Sequence, residues 1–307
     1  MIGVLTGFAV IAVIVLVGYL VGRLGVLGEH AGFVLGRIGF AVLTPCLLLT
    51  VLSEADIAHL FSALLPVSAI AAVAVGLLFA AVARFVWRRP VSETVVGSLA
   101  SGYVNANNIG IPVSLYVLGD PALSAPVVLL QMLVFAPIAL TILDSQTRGV
   151  VSLRRVLLQP VTNPLVVASV LGVLIAVTGV QLPAAVLEPF KLIGGAAVPV
   201  ILIAFGISLH GQRPLAPGTA RRDVVLATAL KLTVMPLVAW SLGRFVFSLD
   251  GEQLFAVTVL AALPSAQNVF NYAQRYERGV ILARDVVLLT TIGAVPVIAL
   301  IAALLAR

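Results

Sequence analysis

Apolar runs close to twenty residues long follow one another along the whole chain, separated by short stretches that hold most of its charges. Wound as α-helix at about 1.5 Å per residue, a run of that length matches the roughly 30 Å hydrocarbon core of a bilayer. In lipid, backbone N–H and C=O groups must be bonded internally, which restricts successive runs of this kind to a bundle of helices. Only 10% of the 307 residues are charged and 61% are hydrophobic, whereas a soluble domain carries about 25% charged residues. The chain therefore reads as an all-α polytopic membrane protein embedded in the lipid bilayer.

Ten spans follow from the runs and their breaks, at approximately 2–22, 34–52, 61–86, 94–118, 122–143, 163–181, 186–209, 224–247, 253–273 and 282–305. Loops one, three, five, seven and nine hold Arg23 and Arg37; Arg84, Arg88 and Arg89; Arg148, Arg154 and Arg155; Arg213, Arg221 and Arg222; and Arg275, Arg278 and Arg284. The opposite side has Lys191, Arg244 and Arg307, while Lys231 falls within span eight. Basic residues concentrate in cytoplasmic loops, so both termini are expected outside the cell membrane. The net charge of +6 marks topology here and forms no continuous basic face, so no nucleic-acid partner is expected. The first run lacks a basic leader and is expected to be retained as a membrane helix.

Enzymatic constellations are absent from the sequence. The lone Cys46 excludes a disulfide framework, and His30, His59 and His210 have no metal-ligand spacing, so neither a metal site nor a catalytic residue is expected. No Gly-rich phosphate loop or nucleophile elbow occurs, which argues against ATP-driven work and hydrolysis. No cofactor is expected.

Five spans in each half would insert the two halves in opposite orientations, the first over 1–147 and the second over 148–307, with scaffold and transport parts interleaved across both. Faint echoes support this inverted repeat: Ala83-Arg84-Phe85-Val86-Trp87 beside Gly243-Arg244-Phe245-Val246-Phe247, and Ile38-Gly39 before Pro45 beside Ile193-Gly194 before Pro199. Pro112 in span four is expected to answer Pro264 in span nine, and Pro45 and Pro199 to bend spans two and seven.

Two polar interruptions stand out against this apolar background: Val104-Asn105-Ala106-Asn107-Asn108-Ile109-Gly110-Ile111-Pro112, and Leu263-Pro264-Ser265-Ala266-Gln267-Asn268. A polar break at membrane depth is tolerated where it is buried in protein or lines a watery cavity. If proline splits each span, new half-helices start near Pro112 and Pro264 and aim their N-termini at the midplane from opposite sides. Unpaired N–H groups and the helix dipole make such ends favourable for an anion without a buried cation. Asn105, Asn107, Asn108 and Gly110 beside the first break, and Ser265, Gln267, Asn268 and Asn271 beside the second, are the expected substrate-binding residues. The blander alternative is that these amides bridge helices or cap freed carbonyls.

Lys231 fits two roles, a counter-ion or coupling switch, and a side chain that snorkels to the interface. Gln131 fits support of the Asn cluster or pairing with a neighbouring helix. Glu93 suits the start of span four, and Tyr103 and Tyr272 fit lining the path as well as interfacial or packing roles. Asp144 and Asp285 lie near cytoplasmic span ends, where solvated or ion-paired roles are the default.

The segments Asn107-Asn108-Ile109-Gly110-Ile111-Pro112-Val113 and Leu263-Pro264-Ser265-Ala266-Gln267-Asn268-Val269-Phe270-Asn271-Tyr272 resemble the fourth and ninth spans of the auxin efflux carrier family. The resemblance implies the fold shared with bile-acid transporters and sodium/proton antiporters, with broken helices four and nine crossing between a transport part and a scaffold. It also implies elevator-type secondary transport of a small organic anion such as malate or malonate, with Asn105, Asn107 and Asn108 as candidates for the substrate carboxylate. A homodimer is implied as well. Plant members carry a long loop between spans five and six where this chain has only about twenty residues, which looks bacterial. The acidic-and-basic pair found in span three of some plant members has no match here, which leaves coupling to Na+ or H+ open. The alternatives are a sodium- or proton-coupled carrier of another solute and a membrane ligand sensor.

Overall fold

A computed structural model describes residues 2–56, 63–148, 158, 162–210, 215 and 220–305. His59, Arg154, Arg155, Arg213 and Arg307 lie outside the described residues. Every regular element among the described residues is helical. In chain order these are α1 (Ile2–Leu24), α2 (Ala31–Ser53), α3 (Leu64–Val86), α4 (Val91–Gly102), α5 (Ala106–Leu118) and α6 (Pro121–Gln146). They continue as α7 (Pro164–Thr178), α8 (Ala184–Leu209), α9 (Arg221–Val246), α10 (Gly251–Ala262), α11 (Gln267–Tyr276) and α12 (Val280–Leu305). By length and composition α2, α3, α6, α8, α9 and α12 can each cross a membrane, and α5, α7 and α10 are shorter apolar helices.

The helix breaks at Pro264, between α10 and α11, but not at Pro112. Wide π-turns at Gly39–Leu43, Ala106–Gly110, Gln131–Phe135 and Leu230–Val234 each end two residues before a proline, namely Pro45, Pro112, Pro137 and Pro236. Proline lacks an N–H and crowds the carbonyl four residues back. Widening the preceding turn to i→i+5 bonding makes room for the ring and re-bonds the freed carbonyl. The expectation that a half-helix starts at Pro112 is thereby corrected: α5 starts at Ala106, and Pro112 is buried inside it. Pro199 likewise follows an interruption, the turn at Ala196 that divides α8.

The helices pack in two groups. In one, α1 lies along Ala197–Leu209 of α8, and Thr44–Ser53 of α2 lies along α7. Gly18 and Gly206 allow the first contact: a Cβ at Gly18 would overlap the Ile203 carbonyl oxygen, and one at Gly206 the Val15 carbonyl oxygen. Lipid supplies no hydrophobic drive between helices, so such close backbone approach at small residues is a main source of adhesion. In the other group α3 packs on α4, α9 on α10, and α12 on both α9 and α10. The core is buried chiefly here, with Val67, Phe79, Val96, Leu260 and Val286 almost fully covered.

Two corners of this second group repeat one another. After α3, Trp87 and Arg89 N–H donate to the carbonyls of Val82 and Ala83 (3.1 and 2.8 Å); after α9, Phe247 and Leu249 donate to Leu242 and Gly243 (3.0 and 2.8 Å). Arg88 and Ser248 between them adopt left-handed backbone, with φ of 55° and 52°. Each corner leads into a helix of 12 residues, α4 or α10. This spacing brings Pro264 into register with Val104, so the expected equivalence of Pro264 with Pro112 is also corrected. Arg89 at the first corner forms a bidentate pair with the buried Asp223 at the start of α9, at 3.1 and 2.6 Å. That hydrogen bond holds the guanidinium pKa above its ordinary value.

Candidate functional site

The two polar interruptions meet. Beyond Gly102 and Ala262 the chain turns extended, and Val104 faces Ser265 in an antiparallel bridge. The Asn105 N–H donates to the Pro264 carbonyl at 2.8 Å, and the Ala266 N–H donates to the Tyr103 carbonyl at 2.9 Å. Four helix ends, the C-termini of α4 and α10 and the N-termini of α5 and α11, therefore gather around one isolated antiparallel bridge. Helix ends leave backbone groups unpaired, and in an apolar interior each such group must find a partner.

Side chains from several helices provide those partners. The fully buried Ser265 hydroxyl donates to the Ala100 carbonyl at the end of α4, and its own N–H is accepted by Thr290 Oγ1 of α12 at 3.0 Å. Gln131 Nε2 of α6 donates to the Val104 carbonyl at 2.9 Å. Lys231 Nζ of α9 donates to the Ala261 carbonyl at the end of α10 at 2.6 Å. Asn105 Oδ1 accepts the Asn108 N–H at 3.1 Å and so caps α5. Gln131 thus reaches from α6 to the backbone of the first interruption. For Lys231 the structure removes snorkelling, because the side chain is 0% exposed and points into the protein. Asp285, too, is fully buried and paired with Arg284.

The remaining candidates divide by exposure. Gly110, Pro112 and Pro264 are buried backbone positions. At Gly110 a Cβ would lie 3.1 Å from both Leu263 Cδ1 and Ser124 Oγ, so glycine lets α5 nestle against the second interruption. Asn107, Asn108, Gln267 and Asn268 are half-buried and carry the accessible polar groups. Asn107 Nδ2 donates to Asn108 Oδ1 at 2.8 Å, while Asn107 Oδ1 is buried without a partner. Among the described residues, the backbone N–H groups of Asn107, Gln267 and Asn268 have no backbone acceptor. Asn271, one turn into α11, is exposed. The Tyr103 and Tyr272 rings meet edge-on at 6.5 Å, beside Asn268, and wall one side.

Sequence reasoning missed Thr290. A threonine in an apolar helix usually bonds its own preceding turn, and this one does donate to the Val286 carbonyl at 2.7 Å. Nothing in the sequence distinguishes it from Thr258, which makes the same local bond.

The sequence pattern of the membrane transport protein family matches residues 4–149 and again 144–302. The chain belongs to this family, which includes the auxin efflux carriers. An uncharacterized transporter of Methanothermobacter thermautotrophicus is 29% identical over 289 residues, 92% of this chain and 92% of that protein. A Methanocaldococcus jannaschii transporter, also uncharacterized, is 23% identical over 95% of each chain. A protein of Rhizobium meliloti named as a proposed malonate transporter is 26% identical, over 92% of this chain and 89% of its own. The chain is thus a multi-pass membrane transport protein, and the joined interruptions are its candidate binding site.

Proposed function

We propose that this transporter carries a small organic anion, with one carboxylate held where the two interruptions meet. The carrying observation is the inventory of donors there. Asn108, Gln267 and Asn268 are half-buried, free N–H groups head α11, and no acidic side chain lies among them. Uncharged amides and helix N-termini stabilise an anion while leaving it free to dissociate. The proposed malonate specificity of the Rhizobium relative supports a carboxylate substrate.

Ten spans in a 5+5 inverted repeat, with spans four and nine crossing, are proposed on three supports: the repeated corners, the two broken spans, and the reciprocal packing of α1 on α8 and α7 on α2. Their grouping supports an elevator cycle in which α3–α6 and α9–α12 move against α1, α2, α7 and α8. Odd-numbered loops come together through Arg89–Asp223 and through the Leu215 N–H on Asp285, which supports a cytoplasmic arginine-rich face and outward termini in the cell membrane. The family resemblance supports a homodimer. Coupling to a proton is proposed over coupling to sodium, because the titratable Lys231 amine already occupies the Ala261 carbonyl that the freed end of α10 would offer a sodium ion.

Uptake of labelled malonate into proteoliposomes tests the reading. Uptake should be independent of sodium and fall at least tenfold in Asn108→Ala and Gln267→Ala. Equal uptake in both variants and the parent would remove the site assignment.

A further inference from the structure

A small polar cavity lies beside the first turn of α11. Its volume is about 40 Å³, and Gln267, Arg284, Thr291 and Ser208 supply its polar lining, with Phe205 and Phe270 as apolar walls. Arg284 stands one turn into α12 with its side chain only 30% exposed. Its Nε donates to Asp285 Oδ1 at 2.9 Å, and the second oxygen of Asp285 is bound to the Leu215 N–H at 3.0 Å. Asp285 therefore clamps the guanidinium from behind. Nη2, 2.8 Å from the same carboxylate oxygen, is buried and makes no aligned hydrogen bond. Thr291 Oγ1 is buried without a partner as well. The Ser208 hydroxyl is committed to the Phe205 carbonyl at 2.7 Å.

Beside the Arg284–Asp285 ion pair, the groups without a partner are thus the Thr291 hydroxyl, the Gln267 amide and the open N–H groups at the head of α11. All can donate, no carboxylate lines the cavity, and buried donors without acceptors are costly unless a ligand satisfies them. Arginine presents parallel N–H bonds that match a carboxylate. Gln267 also belongs to the meeting point of the interruptions, so the two sites share a wall. These donors all sit on α11 and α12, while α8 contributes Phe205, Ser208 and Leu209.

We propose that Arg284, Thr291 and Gln267 form a second anion subsite, which takes the distal carboxylate of a short dicarboxylate held by its other carboxylate at the interruptions. The inference rests on the proposed function and adds the residues that hold the second carboxylate. A dianion spans both subsites; a monoanion of the same length fills only one.

The test compares malonate with monomethyl malonate, a monoanion of similar size, by calorimetric titration of the purified full-length chain. The parent should favour malonate by at least tenfold. Arg284→Gln should bring that ratio to within about threefold, and Thr291→Val should lower it in the same direction. Arg284→Gln leaves the buried Asp285 without its partner, so Arg284→Gln combined with Asp285→Asn supplies a neutral pair that keeps the fold testable. An unchanged ratio in the double variant and in Thr291→Val would overturn the inference. If monomethyl malonate binding also ignores Asn108→Ala, the carboxylate site at the interruptions is wrong. If it responds to Asn108→Ala while the ratio ignores Arg284, only the second subsite is wrong.

Discussion

Replacing Thr290 by valine isolates one bond that holds the joined interruptions together. Thr290 is fully buried, and its Oγ1 accepts the Ser265 N–H at 3.0 Å while donating to the Val286 carbonyl. Valine has nearly the same shape, so no cavity forms and α12 keeps its packing. The Val286 carbonyl keeps the regular helical bond available to it, whereas the Ser265 N–H loses its acceptor in a place water does not reach. Leaving a buried donor unsatisfied costs about 1–3 kcal/mol. Polar bonds between membrane helices average only about 0.6 kcal/mol, because the unfolded chain in lipid or detergent finds other partners. A destabilisation of about 1–2 kcal/mol is expected. Thr290→Ser retains the hydroxyl and removes one methyl group, a loss of about 0.8 kcal/mol by burial. Equilibrium unfolding of the detergent-solubilised chain, followed by helicity, should rank parent, serine and valine in falling stability. Valine equal to or more stable than serine would refute the role assigned to this bond.

Two further outcomes follow from polar groups near the site. Arg89→Gln strands the buried Asp223 carboxylate and should destabilise by about 1–2 kcal/mol, discounted because Arg89 itself is 36% exposed; adding Asp223→Asn should restore most of the loss in the same unfolding assay. Asn105→Ala removes the α5 cap and should cost about 1 kcal/mol of stability. Its effect on carboxylate binding should be smaller than that of Asn108→Ala, which calorimetry can rank.

The class of fold was legible because runs of helix-spanning length leave a chain no other way to satisfy its backbone in lipid. The two interruptions were legible for the same reason, since seven amide and hydroxyl groups in such runs need a protein environment. Where the first half-helix begins was not legible, although the second begins close to Pro264 as expected. Pro112 looked like the break, yet a π-turn over Ala106–Gly110 absorbs it, and the chain opens earlier at Tyr103. Proline marks a difficulty for the helix but not which turn resolves it. Partners distant in sequence were equally hidden: Ser265 bonds Ala100 and Thr290, and Gln131 reaches Val104. Arg284 read as one more topology charge, and only its clamp on Asp285 and the cavity before it set it apart.

Calorimetric titration of malonate into the purified chain, with Asn107→Ala combined with Asn108→Ala as the comparison, addresses the binding site most directly. Each charge-assisted hydrogen bond from an amide to a carboxylate is worth about 1.5–3 kcal/mol, or roughly a tenfold to hundredfold change in affinity. The account predicts saturable binding by the parent, unaffected by sodium, and a loss of at least tenfold in the variant with its unfolding midpoint preserved. Malonate bound by parent and variant with equal affinity would contradict it.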